Sequence, residues 1–301
     1  MSQVVFITGT STGFGRATAE TLSRRGYNVI ATMRGVAGKN AANAEALRAL
    51  AAGEKLALQV LELDVTDDSS VNRAVEDALA QAGRIDVVIN NAGVAALGIT
   101  EAFPVEQFQA LFNINLFGAV RVNRAVLPAM RRQRGGLLIH VSSAAGRTVV
   151  PCMAAYCASK FALEALADAY RFDLSPFGID SVIVEPGIHR TPILEATAPA
   201  ADQARLREYG AAAEYAARVK SVFDRASASP ETPDEQLVVD AFVRLIETPA
   251  GERPLRTIPT PRLDSLLDPY NTAADQVRQG IAHMFRVPEL LTLQQSAPAG
   301  G

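Results

Sequence analysis

Cysteine is scarce in this chain, since only Cys152 and Cys157 occur among its 301 residues. Two cysteines are too few for a disulfide framework, and no further Cys or His pair stands at the spacing of a zinc site. We therefore expect no metal site and interpret both thiols as small apolar side chains near a helix start.

Long apolar runs and an N-terminal leader are missing as well. The chain begins MSQVVFITGT, without a basic segment and an apolar stretch before a cleavage site. No segment approaches the roughly 20 apolar residues that span a bilayer. These absences predict a cytoplasmic protein without a membrane span.

Strong charge of either sign is also lacking. The formal net charge is −3 and there is no run of basic residues. Nucleic acids and anionic membranes attract proteins through such basic surfaces. We expect neither partner here, and we expect a small-molecule ligand instead.

What the chain does have is an alternation of short Val/Ile/Leu-rich runs with longer Ala-rich amphipathic segments. This alternation predicts a parallel sheet covered by helices on both faces, a Rossmann-type doubly wound α/β fold with about seven strands. The predicted strands are Val4–Thr8, Asn28–Met33, Lys55–Leu61, Val87–Asn90, Leu137–Ser142, Ser181–Glu185 and Leu255–Pro259. The predicted helices are Gly13–Arg25, Ala41–Ala52, Asp68–Ala82, Val105–Arg132, Ala154–Ser175 and Asp234–Glu247.

No repeat appears, and no Pro/Gly-rich linker divides the chain before residue 185, which predicts a single dinucleotide-binding catalytic domain over 1–301. Residues 188–233 are Ala- and Arg-rich with helical segments but no strand, and we interpret them as an insertion that caps the substrate pocket. Residues 260–301 form a C-terminal extension, and the composition from Ser296 onward is typical of a frayed tail.

A glycine-rich turn follows the first predicted strand and opens onto a helix. Glycines in this context let a pyrophosphate approach backbone N–H groups and the helix N-terminus, although an ordinary tight turn is the alternative. The candidate cofactor residues in this turn are Gly9, Ser11, Thr12, Gly13, Phe14 and Gly15.

The end of the second strand bears on the choice of cofactor. An acidic side chain at this point would bind the adenosine ribose hydroxyls, but the sequence has Met33 followed by Arg34. A guanidinium there is suited to a 2′-phosphate, so we expect NADP(H) to be preferred. Arg16 is a weaker second candidate, and a solvated surface charge is the alternative interpretation of Arg34.

Two further strand ends carry candidate cofactor residues. Asp64 and Val65 follow the third strand, and Asn91, Ala92 and Gly93 follow the fourth. The carboxyl ends of parallel strands form the edge where open α/β sheets bind ligands. For Asn91 a purely structural role stays open.

Tyr156 and Lys160 lie four residues apart, so both side chains project from one face of the predicted helix. A free tyrosine has a pKa near 10, but an adjacent ammonium and an oxidised nicotinamide would favour the phenolate and make Tyr156 a usable acid and base. The spacing alone occurs in many helices. Ser143, which ends the fifth strand, and Asn115, an amide within an otherwise apolar helical pattern, supply further polar groups.

Together the TGxxxGxG turn, the NNAG segment, the serine and the YxxxK pair resemble the short-chain dehydrogenase/reductase family over about the first 190 residues. The resemblance implies a catalytic tetrad of Asn115, Ser143, Tyr156 and Lys160, with Asn115 keeping a water that links Lys160 to solvent. It also implies that Asp64 contacts adenine. The VIATMR run and the long insertion resemble the retinol- and steroid-type branch of the family.

The segment after the sixth strand is similar to the family's PGxxxT motif. The resemblance implies cofactor contacts for Pro186 and Gly187, and it implies that Ile188 and Thr191 hold the nicotinamide carboxamide. His189 is interpreted as a substrate neighbour rather than a proton carrier, and His140 as a buried strand residue that satisfies a contact. The candidate substrate-binding residues are Val94, Ser143, Val149, Tyr156 and His189.

These features predict an NADP(H)-dependent oxidoreductase that acts on a carbonyl or alcohol carbon of an apolar or aromatic substrate. An NADP(H)-binding regulatory or scaffold protein without turnover stays open as an alternative, as does an epimerase or lyase on the same fold. Relatives in the family pair through long helices, so a homodimer or homotetramer is expected.

Overall fold

A computed structural model of the chain describes residues 2–191, 193, 197 and 199–294, and these residues form a seven-stranded parallel sheet in the order β3-β2-β1-β4-β5-β6-β7. The order changes direction beside β1, where parallel sheets of this kind bind ligands. The strands are β1 Val4–Thr8, β2 Asn28–Met33, β3 Leu58–Glu62, β4 Val87–Asn90, β5 Gly136–Val141, β6 Ile179–Val184 and β7 Arg256–Thr257. The predicted doubly wound fold is confirmed.

Helices cover both faces of the sheet because the central strands are apolar on both sides. In β1, Val5 and Ile7 pack into one core layer, whereas Val4 and Phe6 pack into the layer on the opposite face. This alternation follows from the two-residue period of a strand. The helices are α1 Gly13–Arg24, α2 Ala41–Glu54, α3 Asp68–Ala82, α4 Val105–Asn115, α5 Phe117–Gln133, α6 Ala154–Leu174, α7 Gln203–Glu208, α8 Glu214–Ala228, α9 Gln236–Glu247 and α10 Asp264–Met284.

The prediction of one continuous helix over Val105–Arg132 is wrong. The structure has two helices, α4 and α5, with Leu116 between them. Backbone hydrogen bonds from Leu116 to Phe112 and from Val120 to Leu116 still bridge the break. The apolar period therefore runs on across the kink, and periodicity alone could not detect it.

Several predicted boundaries also need correction. Lys55, the predicted start of β3, instead ends α2 in a left-handed conformation with φ of 55°, and the strand begins at Leu58. Strand β6 begins at Ile179, two residues before the predicted Ser181. Strand β7 is reduced to two residues. Boundaries depend on hydrogen bonds with neighbouring elements, which a periodic pattern does not contain.

Helices dominate the chain after β6. Helices α7 and α8 lie within the predicted insertion, while α10 was not predicted at all. The predicted tail from Ser296 lies outside the described residues. None of the helices in the described part of the chain combines the length and apolar character that a membrane crossing requires.

Candidate active site

A deep cavity of about 1010 Å³ opens at the carboxyl ends of the central strands. Its lining joins the turn after β1 to the ends of β2, β3, β4, β5 and β6, so segments far apart in sequence share one wall. The predicted site residues on this lining are Gly9, Ser11, Thr12, Gly13, Phe14, Arg34, Asp64, Val65, Asn91, Ala92, Gly93, Val94, Ser143, Tyr156, Lys160, Pro186, Gly187, Ile188, His189 and Thr191. Gly15, Asn115 and Val149 lie off it.

The glycine turn is fastened to the neighbouring strand. The Asn91 side-chain amide donates to the carbonyls of Thr8 and Gly9, at 2.9 and 3.0 Å. Gly9 has φ of +71°, and a Cβ there would lie 2.8 Å from the Ala92 Cα. Gly15 packs behind the turn, directly on the Gly9 carbonyl. The contacts of Asn91 therefore shape the wall of the cavity.

Basic side chains lie at the end of the cavity formed by β2. Arg34 is joined there by Lys39 and Asn40 on the lining, and the Asn40 amide donates to the Arg34 carbonyl at 2.7 Å. Arg16, the weaker sequence candidate, is instead bonded to Glu20 at 2.8 Å. The positive charge at this end therefore comes from the loop after β2.

Asp64 lies opposite this basic group, at the end of β3. Burial raises the pKa of the Asp64 carboxyl, but hydrogen bonds from the Thr66 N–H and hydroxyl, at 2.9 and 2.7 Å, outweigh it and lower the pKa overall. The Arg34 charge acts in the same direction. Asp64 is thus an ionised acceptor on the cavity wall.

Tyr156 lies on the first turn of α6 and its phenol reaches Ser143 after β5. Burial raises the pKa of Tyr156 to about 12, and a hydrogen bond with Ser143 offsets part of this effect. The Ser143 hydroxyl oxygen also accepts from the Ala145 N–H at 3.1 Å. The two hydroxyl groups therefore converge on one point of the cavity.

Lys160 lies one helical turn beyond Tyr156. Its Nζ donates to the Val141 carbonyl at 2.7 Å and lies 5.8 Å from the centroid of the Tyr156 ring. Burial lowers the pKa of Lys160 to about 8, although the Glu164 charge opposes this shift. Burial is the largest influence on the phenol in this structure. The expectation that an adjacent ammonium and an oxidised nicotinamide together favour the Tyr156 phenolate concerns the site with its cofactor and stays a prediction.

Asn115 ends α4 and is buried beside the strand end of β4. Its Oδ1 accepts from the Val94 N–H at 2.9 Å, while its Nδ2 donates to the Val94 carbonyl at 2.9 Å and to Ser159 Oγ at 3.0 Å. Gly93 lies between Asn115 and Lys160, since a Cβ there would be 3.4 Å from the amide oxygen and 3.6 Å from Nζ. The side chain of Asn115 thus joins the segment after β4 to α6.

His189 is buried and links three segments. Its Nδ1 lies 2.9 Å from the Asp234 carbonyl, which can only accept, so Nδ1 carries the proton. Its Nε2 therefore accepts from the Thr260 hydroxyl at 2.8 Å, and Thr260 in turn accepts from the Gly187 N–H at 2.7 Å. Burial lowers the pKa of His189. The ring of Phe14 packs edge-on against the imidazole at 5.5 Å.

The remaining wall of the cavity is mainly apolar and comes from both halves of the chain. Val149, a predicted substrate residue, is 69% exposed and lies off the lining, where Val150 takes its place. The apolar residues on the lining include Val94, Ala95, Ala145, Val150, Met153, Ile188, Ile193, Phe223 and Leu263. Of these, Ala95, Ala145, Val150, Met153 and Phe223 pack in one cluster with Tyr156.

Sequence reasoning missed several lining residues. Lys39 could have been found as a second basic residue in the loop after β2. Thr260 and Leu263 follow β6 along the chain, where the sequence has no motif, and Phe223 lies in the predicted capping insertion but was not singled out. Only the folding of α8 and of the segment before α10 brings them to the cavity.

Comparisons with known proteins identify the family of this chain. The family model for short chain dehydrogenases matches residues 3–202. A crystal structure of a short-chain dehydrogenase from Streptomyces avermitilis superposes with a TM-score of 0.74 at 30% identity, covering 96% of this chain and 98% of that one. The chain therefore belongs to the short-chain dehydrogenase/reductase family and is an oxidoreductase by family.

Two curated relatives indicate the branch of the family to which the chain is similar. The chain is 39% identical over 189 residues to the 3-ketodihydrosphingosine reductase of Bacteroides thetaiotaomicron, covering 63% of this chain and 65% of that protein. It is 40% identical over 193 residues to human retinol dehydrogenase 5, covering 63% of this chain and 57% of that protein. These matches support the retinol-dehydrogenase-like branch. They span less than two thirds of either relative's length.

Proposed function

We propose that this protein is an NADP(H)-preferring oxidoreductase that interconverts a carbonyl group and an alcohol in an apolar or aromatic substrate. The observation that carries the proposal is the layout of one cavity. Tyr156, Ser143 and Lys160 lie at its apolar end, and the glycine turn with Arg34 lies at its basic end.

The residues present fit a dinucleotide. Thr12 precedes α1 without a side-chain cap among the described residues, so the N–H groups of the first turn can bind a pyrophosphate. Gly9 and Gly13 on the lining leave the backbone open to it. Arg34 and Lys39 would meet a 2′-phosphate, and Ile188 and Thr191 would hold the nicotinamide carboxamide. A bound nicotinamide supplies or accepts the hydride of the reaction.

The protein's own groups then handle the proton. Because the pKa of Tyr156 is raised to about 12, its phenol is protonated at neutral pH. In the reductive direction it gives this proton to the substrate oxygen as negative charge develops there, while Ser143 donates a hydrogen bond to the same oxygen. Lys160, one helical turn from Tyr156 and with a pKa of about 8, is a group that can return a proton to it.

The cavity also favours one class of substrate. Near Tyr156 its wall is built from Ala, Val, Met and Phe side chains, whereas Arg34 and Lys39 follow β2 on the other side of β1. An uncharged apolar or aromatic carbonyl compound matches this end of the cavity. Phe223 of α8 and Ile193 lie on the lining, which supports a capping role for residues 188–233.

The test is a panel of apolar and aromatic ketones, aldehydes and alcohols, assayed with NADPH/NADP and NADH/NAD in parallel. We expect turnover with NADPH, and we expect Tyr156→Phe to lower kcat by more than about tenfold while the Kd for NADPH stays within about twofold. Tyr170→Phe is the matched control, because it removes a phenol outside the cavity.

Two outcomes would contradict the proposal. Turnover of Tyr156→Phe above about a tenth of the parental rate would remove the assigned acid and base. NADPH binding without any net change of its absorbance across the panel would favour a regulatory protein, or an epimerase or lyase that regenerates its cofactor internally.

A further inference from the structure

Glu164 follows Tyr156 and Lys160 on the same face of α6. Glu164 lies one helical turn beyond Lys160, on the face that carries Tyr156, and is 2% exposed. Its Oε1 accepts a hydrogen bond from Ser142 Oγ at 2.8 Å. Since Ser142 directly precedes Ser143, Glu164 fixes the backbone next to the catalytic serine.

The turn after the serine passes directly over this carboxyl group. Ala144–Gly146 forms a short 3-10 turn, and a Cβ on Gly146 would lie 2.6 Å from Glu164 Oε1. The absence of a side chain at this position therefore allows the turn to rest on α6. The position of Ser143 is thus coupled to Glu164 from both sides.

Arg147 follows the turn and joins a buried charge cluster. Its Nη1 lies 3.5 Å from Glu164 Oε2, and its Nε lies 4.0 Å from Glu185 Oε1 on the residue after β6. Arg256 of β7 is 3.2 and 3.1 Å from the same two carboxyl groups and 2.8 Å from Asp168. Burial, with the Glu185 charge, raises the pKa of Glu164 to about 8. Burial raises the pKa of the Glu185 carboxyl as well.

The C-terminal helix completes this cluster from outside. Arg147 Nε donates to Asn271 Oδ1 at 2.7 Å, and Asn271 Nδ2 donates to Glu185 Oε2 at 2.9 Å. The guanidinium of Arg147 also lies 4.4 Å from the centroid of the Tyr270 ring. Helix α10 therefore holds Arg147 with one amide and one aromatic ring.

Such a cluster is weak evidence for a role in stability, since apolar side chains of similar volume often fill a core equally well. Its directional bonds do fix geometry. We propose that Arg147 and Glu164 are positioning residues that hold Ser143 relative to Tyr156, and that α10 is required for this through Asn271. The inference rests on the proposed function only in naming Ser143 and Tyr156 as the reacting pair.

The first experiment compares two buried arginines. Arg147→Met removes the positioning contact, whereas Arg253→Met removes a buried ion pair of 2.6 Å with Asp180, near the amino-terminal end of β6. We expect both variants to lower the Tm. Only Arg147→Met should lower kcat, by about tenfold or more, with the Kd for NADPH within about twofold of the parent. Asn271→Ala, a milder change at the same contact, should lower kcat by about threefold.

A conservative pair tests Glu164. Glu164→Gln keeps an oxygen that accepts from Ser142, whereas Glu164→Leu does not. We expect kcat of the Gln variant to exceed that of the Leu variant by at least about fivefold. Equal rates for the two variants would contradict a role for this hydrogen bond.

A measurement that needs no turnover separates this inference from the proposed function. Hydrogen–deuterium exchange of a peptide covering residues 142–148 should be faster in Arg147→Met and Asn271→Ala than in the parent, and unchanged in Arg253→Met. A parent without turnover would overturn the proposed function, and the exchange data would still decide the positioning. Parental exchange in Arg147→Met, or a loss of kcat shared equally with Arg253→Met, overturns the inference.

Discussion

Burial of individual side chains shifts their pKa values in this molecule. Burial raises the pKa of Tyr156 to about 12 and lowers that of Lys160 to about 8. Both shifts have one cause, because an apolar environment disfavours the phenolate and the ammonium alike. At neutral pH the phenol therefore keeps the proton that carbonyl reduction requires.

His140 shows the same effect away from the cavity. It is fully buried in β5, and its ring stacks on Tyr170 with centroids 6.1 Å apart and planes inclined by 8°. Neither ring nitrogen has a hydrogen-bond partner among the described residues. The predicted buried contact is therefore a ring stack, and burial lowers the pKa of His140 to about 3.

This burial predicts a loss of stability in acid. The folded pKa of His140, about 3, lies below the ordinary histidine value of 6.5. Between these values the unfolded chain binds a proton that the folded chain does not. The contribution of neutral His140 to the free energy of unfolding is complete above pH 6.5. It is lost as the pH falls, by up to about 1.4 kcal/mol per pH unit. His140→Phe keeps the stack and should flatten this part of the slope in urea titrations at pH 4 to 7.

The control for this slope is His283→Gln, which changes an exposed histidine on α10. We expect it to keep the parental dependence of unfolding free energy on pH. A slope for His140→Phe equal to that of the parent would mean that other groups cause the acid sensitivity.

At the scale of elements, the junction of α4 and α5 links the helical layer to the cavity. Asn115 ends α4, and Gly118 in the first turn of α5 packs against Val65, a lining residue at the end of β3. A Cβ on Gly118 would lie 2.8 Å from the Val65 Cβ. The approach of α5 to the sheet therefore requires glycine at this position.

Gly118→Ala should accordingly overpack this contact. We expect the free energy of unfolding to fall by about 1–3 kcal/mol, since a branched valine side chain cannot move aside as a flexible chain could. Gly53→Ala in α2 is the matched control because a Cβ there meets nothing within 4 Å. That variant should be more stable than the parent by about 0.5–1 kcal/mol. Urea unfolding measures both, and a Gly118→Ala variant as stable as the parent would refute the packing argument.

At the scale of the whole molecule, the cavity has two chemically different ends. The loop after β2 supplies Arg34 and Lys39, while the insertion and the segment before α10 supply Phe223 and Leu263. No single segment of the chain supplies both the basic and the apolar side chains named here. The proposed pairing of a phosphorylated dinucleotide with an apolar substrate depends on this arrangement.

Removing the basic end should change the choice of cofactor. For the double variant Arg34→Ala, Lys39→Ala we expect the Kd for NADPH to rise by about tenfold or more and that for NADH to change little, because charge-assisted bonds to a 2′-phosphate are lost. Fluorescence titration of both cofactors measures this. Arg48→Ala, at an exposed arginine of α2 off the cavity lining, is the control. Equal weakening of NADPH and NADH would refute the assignment of these two residues to the 2′-phosphate.

The sequence by itself determined the fold class and the candidate chemistry. The two-residue and helical periods predicted most strands and helices around the sheet, and strand ends in parallel order identified Asp64, Asn91 and Ser143 as neighbours at one edge. Spacing along a helix placed Tyr156 beside Lys160. These are local regularities, and each can be recognised within a short stretch of chain.

Only the tertiary structure decided what depends on contacts between distant segments. The break after Asn115, the buried cluster around Glu164 and the return of α10 to Arg147 have no local signal, because each arises where several elements meet. The pKa values of Tyr156 and Lys160 follow from burial, which is a property of the folded molecule. The sequence therefore supplies candidate catalytic residue types, whereas their electrostatics and their support come from packing.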